Sequence, residues 1–336
     1  MKKNFWKRKK ILITGINGFV GSNLAKRLVK EGADVIGIIR NKNRKTLLFF
    51  EKIHHKITLI DGDITDKNLL VRILNEQKIE HIFHLAAQVE VGLAEDNPYD
   101  SFETNVRGTY TILSAAFESR KKLKSFVYAS TDKVYGKVEK KKLPYREDYP
   151  LNAEHFYDVS KAAADLLCKS FTISNFKIPI VTTRFANIYG PGQMNFSALI
   201  PDAISSSLNF KKFKFRSNGF FLRDYIFVED VVNLYLKISE MLAKKPNKFN
   251  GQIFNFGSNN PKTAIAIVKK IFELNEKQKE FKNIKISKKK INEIKHQYMD
   301  FKKVYKFLKY KPLYLFDKSL LKTINWYKKY LPLYYE

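Results

Sequence analysis

Cysteine is all but missing from this sequence, with Cys168 standing alone among 336 residues. An internal disulfide is excluded, and a reducing cytoplasm is the natural compartment. Cys168 falls in the apolar run Ala164-Asp165-Leu166-Leu167-Cys168, where a buried, inert thiol is expected. No run of roughly 20 apolar residues exists, so no membrane-spanning helix is expected. The N-terminus is basic from Met1 to Lys10, but Gly15 and Gly18 interrupt the apolar run behind it, leaving it too short for a signal-peptide core. The six histidines are scattered, and none has a cysteine or carboxylate at metal-ligand spacing, so no metal is expected. Acidic residues are scarce: 33 Asp and Glu face 62 Lys and Arg, a net charge of +29. Such a balance occurs in nucleic-acid binders. Here the lysines are spread along the chain, densest from Lys282 to Lys309, with no RNA-recognition, zinc-finger or basic-zipper pattern. They read as solvated surface, and no nucleic-acid or membrane partner is expected. An anionic, nucleotide-linked substrate would profit from the same field. Internal repeats and low-complexity linkers are also lacking.

What is present is a chain long enough for one large α/β domain and a smaller one. Ile11-Leu12-Ile13-Thr14 reads as a short buried strand. Gly15-Ile16-Asn17-Gly18-Phe19-Val20-Gly21 follows, then a helical pattern with Val20, Leu24 and Leu28 on one face and Gly32 as its stop. Strand, glycine-rich turn and helix form a dinucleotide cradle. The first glycine allows the tight turn, the second lets backbone approach a pyrophosphate, and the third lets helix pack on strand. The phosphates sit at the helix N-terminus, where free N–H groups favour anions. Strand Val35–Ile39 ends at Arg40. An acidic residue there grips a ribose 2′-hydroxyl, whereas Arg suits a 2′-phosphate. Arg40 therefore leaves NAD and NADP both open, and it also reads as a residue merely flanking the site. Strand Ile57–Ile60 leads to Asp63-Ile64; Asp63 is placed to accept from an adenine amino group, or else to form a turn.

Asn68–Gln77 reads as helix, His81–Ala87 as strand, Pro98–Glu118 as one long helix, Ser125–Ala129 as strand, His155–Ser174 as helix and Ile178–Thr183 as strand. Strands alternating with helices predict a parallel, doubly wound Rossmann sheet whose ligand crevice lies beyond the strand carboxyl ends. The glycine loop, Asp63, Leu85-Ala86-Ala87 and Ser130–Lys133 all map there. After Thr183 the rhythm changes. Asn187–Gly192 reads as a turn-rich loop, Ser197–Ser207 as helix, Lys212–Arg216 as a short strand, Gln252–Phe256 as a strand rejoining the main sheet, and Pro261–Leu274 as helix. His54 and His55 fall in a loop, and Asn325-Trp326-Tyr327 lies in a closing amphipathic helix. The expected division is a dinucleotide-binding domain over 1–186, rejoined by about 224–257, and a mixed α/β substrate domain over 187–223 and 258–336.

The helix at 155–174 carries Tyr157-Asp158-Val159-Ser160-Lys161. Residues four apart share a helix face, so Tyr157 and Lys161 stand together. A free tyrosine has a pKa of about 10 and is a poor base at neutral pH. A neighbouring cation lowers it, suiting the pair to pull a proton from an alcohol while hydride leaves the same carbon. Alone, this pairing is common on amphipathic helices; following the glycine loop, it gains meaning.

Together these residues resemble an extended short-chain dehydrogenase/reductase. They are Thr14-Gly15-x-x-Gly18-Phe19-x-Gly21, His84-Leu85-Ala86-Ala87, Thr104-Asn105-x-x-Gly108-Thr109, Ser130-Thr131 and Tyr157-x-x-x-Lys161. Arg184-x-x-Asn187-x-Tyr189-Gly190-Pro191-Gly192 and Arg223-Asp224-Tyr225-x-x-Val228-x-Asp230 fit the nucleotide-sugar branch. Ser130-Thr131-Asp132-Lys133-Val134-Tyr135-Gly136 is similar to CDP-glucose 4,6-dehydratase, as are Asn4-Phe5-Trp6, Asn195-Phe196-Ser197, Arg216-Ser217-Asn218-Gly219 and His296-Gln297-Tyr298. Val20 and Asn23 depart from that type, which usually has Lys and Trp there, and Arg40 departs from the usual acidic strand end.

The resemblance implies a cofactor site of Gly15, Asn17, Gly18, Phe19, Val20, Gly21, Arg40, Asp63, Ile64, Leu85, Ala86, Ala87, Gln88, Asn105, Tyr157 and Lys161. It implies Asn187, Asn195, Phe196 and Arg223 as contacts to a nucleotide-diphosphate hexose; loop capping competes as a reading of the two asparagines. It also implies roles. Tyr157 takes the 4-hydroxyl proton, Lys161 lowers the Tyr157 pKa and holds the nicotinamide ribose, and Thr131 bonds the 4-oxygen. Lys133 is the base at carbon 5 and Asp132 the acid for the departing 6-hydroxyl, which requires burial to push Lys133 down and Asp132 up. A homodimer is the family's usual assembly. The alternatives are a 4-epimerase of the same fold, which leaves carbon 6 its oxygen, and a non-catalytic dinucleotide binder.

Overall fold

Alternate residues of the central strands go to opposite faces, as a two-residue side-chain period requires. Ile11 and Ile13 join one buried cluster with Leu24, Phe83, Val127 and Val181. Leu12 joins another with Ile36, Ile82, Phe126, Leu70 and Leu113. Two apolar faces need two helical layers, and the chain supplies them. The computed structural model describes residues 4–41, 43–173, 178–286 and 294–336.

In chain order the large sheet contains β1 (Lys10–Thr14), β2 (Asp34–Ile39), β3 (Thr58–Asp61), β4 (His81–His84), β5 (Ser125–Thr131), β6 (Ile180–Phe185) and β10 (Ile253–Phe256). Between β6 and β10 run β7 (Asn187–Tyr189), β8 (Leu222–Arg223) and β9 (Tyr225–Phe227); β11 (Lys262–Thr263) and β12 (His296–Gln297) come after. The order across the seven strands is β10-β6-β5-β4-β1-β2-β3, every pair parallel. From β1 the chain builds outward to β2 and β3, then crosses to β4 on the other side. That reversal opens a crevice at the carboxyl ends of β1 and β4.

Helices α1 (Phe19–Lys30), α2 (Lys67–Glu76), α3 (Gly108–Glu118), α4 (Phe156–Ile173), α5 (Leu199–Ser207), α6 (Val228–Lys244), α7 (Ala264–Leu274) and α8 (Phe316–Tyr335) cover the sheet and its flank. The Gly32 expectation matches a left-handed φ of +75° just past α1. Residues Pro98–Glu118 form not one regular helix but a helix to Phe102, a π-turn over Glu103–Arg107, and then α3. Such turns are frequent at functional sites, and this one holds the buried Asn105.

Several boundaries differ from the sequence reading. Strand β4 stops at His84 because the Thr14 hydroxyl takes the N–H groups of Leu85 and Ala86, each at 3.2 Å. Residues 187–189 are a strand, paired with β9, rather than a loop. Lys212–Arg216 is not a strand: it alternates in and out, with Phe213 edge-on to Phe215, but no strand among the described residues pairs with it. The strand of this region is β8, between β11 and β12 in a three-stranded sheet. His54 and His55 occupy a single 3-10 turn, Ile53–Lys56. Helix α4 begins at Phe156 and is described to Ile173; Ser174 lies outside the described residues. The lone thiol, Cys168, is fully buried. Among the described residues, no helix is long and apolar enough to cross a membrane.

Candidate active site

The glycine loop makes its turn with Gly15 at φ +69°, the left-handed region that a side chain resists. A Cβ on Gly15 would stand 2.7 Å from the Ala86 nitrogen, and one on Gly21 would stand 2.2 Å from the Gly15 oxygen. The loop, α1 and the end of β4 are thus in backbone contact. Gly18 caps α1 with no side-chain cap, so the first N–H groups of the helix are left for a ligand.

A cavity of about 670 Å³ opens in front of that helix end. Gly15–Gly21 (Ile16 excepted), Arg40, Asp63, Ile64, Leu85, Ala86 and Ala87 line one part; Thr131, Asp132, Lys133, Tyr157, Lys161, Asn187 and Asn195 line the other. Most of these residues stand at or just beyond the ends of the five parallel strands β1 to β5 or on α4, with Asn187 on β7 and Asn195 in the loop after it. The lining also includes Thr104 of the Thr104-Asn105 motif, and Asn41, Thr46, Val89, Gln193 and Met194, which carried no signal in the sequence. Thr46 is placed by a tertiary bond, its hydroxyl donating to Asn17 Oδ1 at 2.6 Å. The Asn23 amide donates to the Pro191 carbonyl at 2.9 Å, tying α1 to the turn after β7.

Asp63 serves two partners. Its Oδ1 accepts from Thr65 N–H (2.9 Å) and hydroxyl (2.8 Å), and its Oδ2 lies 3.6 Å from Arg40. These bonds outweigh burial and hold its carboxyl below the ordinary range. The turn reading of Asp63 is therefore present in the fold while the residue also lines the cavity.

Gln88 and Asn105 are not in the cavity wall. They brace it from behind. Asn105 Oδ1 accepts from Gln88 N–H (2.8 Å), and its amide donates to the Gln88 carbonyl (3.0 Å) and to Ser160 Oγ (2.9 Å). Ser160 in turn donates to the Tyr157 carbonyl at 2.7 Å. His84 extends this brace to β1. Thr109 donates to the Asn105 carbonyl (2.6 Å), so it accepts from His84 Nε2–H (2.9 Å). His84 Nδ1 then accepts from the Thr14 hydroxyl at 2.7 Å. Burial holds this imidazole neutral, its pKa pushed down to about 3.

The Tyr157–Lys161 pairing differs from the sequence expectation. Lys161 Nζ donates to the Ala129 carbonyl at 2.6 Å and sits 4.5 Å from the centre of the Tyr128 ring. Burial lowers its pKa to about 8. Burial, with Asp158 and Asp132 nearby, pushes the Tyr157 phenol above its ordinary value, and no lowering from Lys161 offsets this. In the chain alone, Tyr157 keeps its proton.

Asp132 and Lys133 begin a 3-10 turn, Asp132–Tyr135, at the end of β5. Asp132 is 3% exposed. Its Oδ1 accepts from the Thr131 hydroxyl at 3.2 Å, and its Oδ2 has no partner among the described residues. Burial raises its pKa to about 6, with Lys133 and Arg223 pulling the other way. A carboxyl poised near neutrality is a usable proton donor.

Arg223 and Phe196 fall outside the cavity wall. Arg223, on β8, donates to the Leu222 carbonyl at 3.0 Å, and its charge acts on Asp132 and on His296 of β12. Phe196 packs against the Tyr334 ring, 5.3 Å between centroids, because the closing helix α8 ends there. No group of His, Cys, Asp and Glu among the described residues could hold a metal ion.

The family described as GDP-mannose 4,6 dehydratase matches residues 12–323. The chain belongs to that family. Human dTDP-D-glucose 4,6-dehydratase is 29% identical over 330 residues, covering 96% of this chain and 90% of that protein. A UDP-N-acetyl-alpha-D-glucosaminuronate decarboxylase from Bacillus cytotoxicus is 28% identical, covering 96% and 98%. Among solved structures, dTDP-glucose 4,6-dehydratase from Bacillus anthracis, in complex with NAD, superposes with a TM-score of 0.82 at 27% identity, over 96% of this chain and 97% of that one. UDP-glucose 4-epimerase from Thermotoga maritima superposes at 0.85, over 96% and 99%; at 24% identity that likeness concerns the fold. The fold of this family member is the extended short-chain dehydrogenase/reductase one, a parallel Rossmann sheet with flanking helices.

Proposed function

We propose that this protein is a nucleotide-sugar 4,6-dehydratase, converting a nucleoside-diphosphate hexose into its 4-keto-6-deoxy derivative. The observation that carries the reading is the Asp132–Lys133 turn in the same cavity wall as Tyr157 and Lys161. A 4-epimerase has no step for a carboxyl poised near neutrality beside the sugar, whereas expulsion of a hydroxyl needs one. The cavity fits a dinucleotide on its own evidence: an uncapped helix end, a glycine cradle that Cβ atoms would fill, and small Ala86 and Ala87 against which a flat ring can lie.

A bound oxidised nicotinamide dinucleotide, NAD in our reading with NADP left possible by Arg40, supplies a hydride acceptor and a positive ring charge. Tyr157 accepts the proton of the sugar's 4-hydroxyl, and Thr131 bonds the 4-oxygen. Lys161, fixed on the Ala129 carbonyl, addresses the nicotinamide ribose. Once carbon 4 is a ketone, the hydrogen on carbon 5 is acidic. Lys133 removes it, and Asp132 protonates the 6-hydroxyl as it leaves. Lys133 then gives its proton back to carbon 5, while the bound dinucleotide would return its hydride to carbon 6 and so would not be consumed.

We assign residues 187–223 and 258–336 to the side that takes the sugar nucleotide. Asn187 and Asn195 line it, and the positive charge of Arg223 beside Asp132 favours the substrate's diphosphate. Within the branch we favour a CDP-linked hexose, on the Asp132-Lys133 pair and His296-Gln297-Tyr298. The helices around Tyr157 expose Tyr99, Tyr110, Leu166 and Ile173, which supports a homodimer through that face.

Purified protein is incubated with NAD or NADP and with CDP-, dTDP-, UDP- and GDP-hexoses, and products are weighed by mass spectrometry. Loss of one water is expected. Asp132→Asn and Lys133→Ala should still reduce bound cofactor but form no dehydrated product. An isomerised sugar of unchanged mass, or full dehydration by both variants, overturns the reading.

A further inference from the structure

Behind the Asp132–Lys133 turn lies a buried ion pair with no part in the chemistry above. Asp165 and Arg184 are 2% and 3% exposed. Arg184 Nε and Nη2 donate to the two carboxylate oxygens of Asp165 at 2.9 and 3.0 Å, a two-pronged fork. The third nitrogen, Nη1, donates to the Tyr135 hydroxyl at 2.7 Å. The Tyr135 hydroxyl donates to Asn255 Oδ1 at 2.7 Å, and its ring lies under the guanidinium, 4.8 Å away.

Three elements meet there. Asp165 stands on α4, one helical turn beyond Lys161, Arg184 is on β6, and Tyr135 closes the turn that Asp132 and Lys133 open. The far side is clamped as well: Tyr145 stacks on Tyr135 at 5.0 Å and donates to the Gly136 carbonyl at 2.7 Å. The Asp165 carboxylate favours the charged form of Lys161, but neither Arg184 nor Tyr135 bonds to Tyr157 or Lys161, which have anchors of their own. Their anchors are Ser160, Asn105 and the Ala129 carbonyl.

We propose that Arg184, Asp165 and Tyr135 are positioning residues for the elimination half of the reaction: they set the distance between the Asp132–Lys133 turn and the Tyr157–Lys161 helix. The inference rests on the dehydratase reading above. Its physical content is that a planar, pre-organised fork fixes an angle as well as a distance, which a flexible ammonium does not. A displacement of about 1 Å at a proton-transferring group costs up to about a hundredfold in rate.

The test compares Tyr135→Phe and Arg184→Lys with the parental protein in two assays. The first is the near-ultraviolet absorbance of reduced dinucleotide on mixing with sugar nucleotide; the second is the mass loss of one water. The expected result is cofactor reduction within about twofold of parental, and water loss slower by about tenfold or more, so that reduced cofactor accumulates. Tyr135→Phe keeps the ring stack and is the milder variant, retaining the test if Arg184→Lys fails to fold. Parallel loss in both assays makes the residues merely structural and overturns the proposal, as does unchanged water loss. Parental protein that reduces cofactor but never loses water refutes the dehydratase reading itself, and this proposal with it.

Discussion

Replacing Asp132 by Asn should make the protein more stable while abolishing water loss. Asp132 is 3% exposed and has one unpartnered oxygen. Burial lifts its pKa from the ordinary 3.8 to about 6. At about 1.4 kcal/mol per pH unit, holding the ionised carboxylate in the fold costs about 3 kcal/mol at neutral pH. The sign follows from proton counts. Between about pH 4 and 6 the folded chain binds more protons at this site than the unfolded chain, so stability falls as pH rises. Asn carries no such term, and its Oδ1 still accepts from Thr131. Its amide nitrogen inherits the unpartnered position, which returns about 1 kcal/mol or more. A net gain of about 1–2 kcal/mol above pH 6 is expected, vanishing below about pH 4. Urea unfolding of both proteins across that range measures it, and Asp224, also raised by burial, cancels in the difference. A stability difference independent of pH, or an Asn variant weaker at pH 7, would refute the reasoning.

Gly21→Ala should destabilise the fold by about 1–3 kcal/mol and abolish dinucleotide binding, because its Cβ meets only backbone, at 2.2 Å from the Gly15 oxygen. Gly92→Ala, with nothing within 4 Å, is the control and should cost nothing in thermal unfolding. Cofactor reduction should fall as pH rises through about 8, where buried Lys161 loses its charge, well below the usual lysine range; a flat stopped-flow rate to pH 10 would count against that role. Arg40→Ala should weaken NADP binding severalfold more than NAD binding, since a 2′-phosphate is what an Arg at this strand end favours. Calorimetry with both cofactors giving an unchanged ratio would sink it.

The parallel sheet was legible because its signals are local: short apolar runs, a glycine turn and a helical period succeed each other along the chain. The cavity wall was legible where a motif sits at a strand end, as with Gly15–Gly21, Ala86-Ala87 and Thr131–Lys133. What escaped depends on pairing at a distance. Lys212–Arg216 has the alternation of a strand but no partner strand among the described residues, while the two-residue β8 acquires two neighbours. Gln88 and Asn105 carry the right residue types yet act from behind the wall, through Ser160. The Tyr157–Lys161 spacing promised a lowered phenol, but burial, with Asp158 and Asp132 nearby, raises it instead, while Lys161 is anchored on the Ala129 carbonyl. Helical spacing places two side chains on one face; it does not say which acceptor a flexible amine will choose.

The most direct trial of the account follows one hydrogen. A nucleoside-diphosphate hexose carrying deuterium on carbon 4 is converted by the protein with bound cofactor, and the product is read by NMR and mass. The account predicts a sugar lighter by one water, with the deuterium on carbon 6. Deuterium still on carbon 4 of a sugar that has kept its 6-hydroxyl would contradict it.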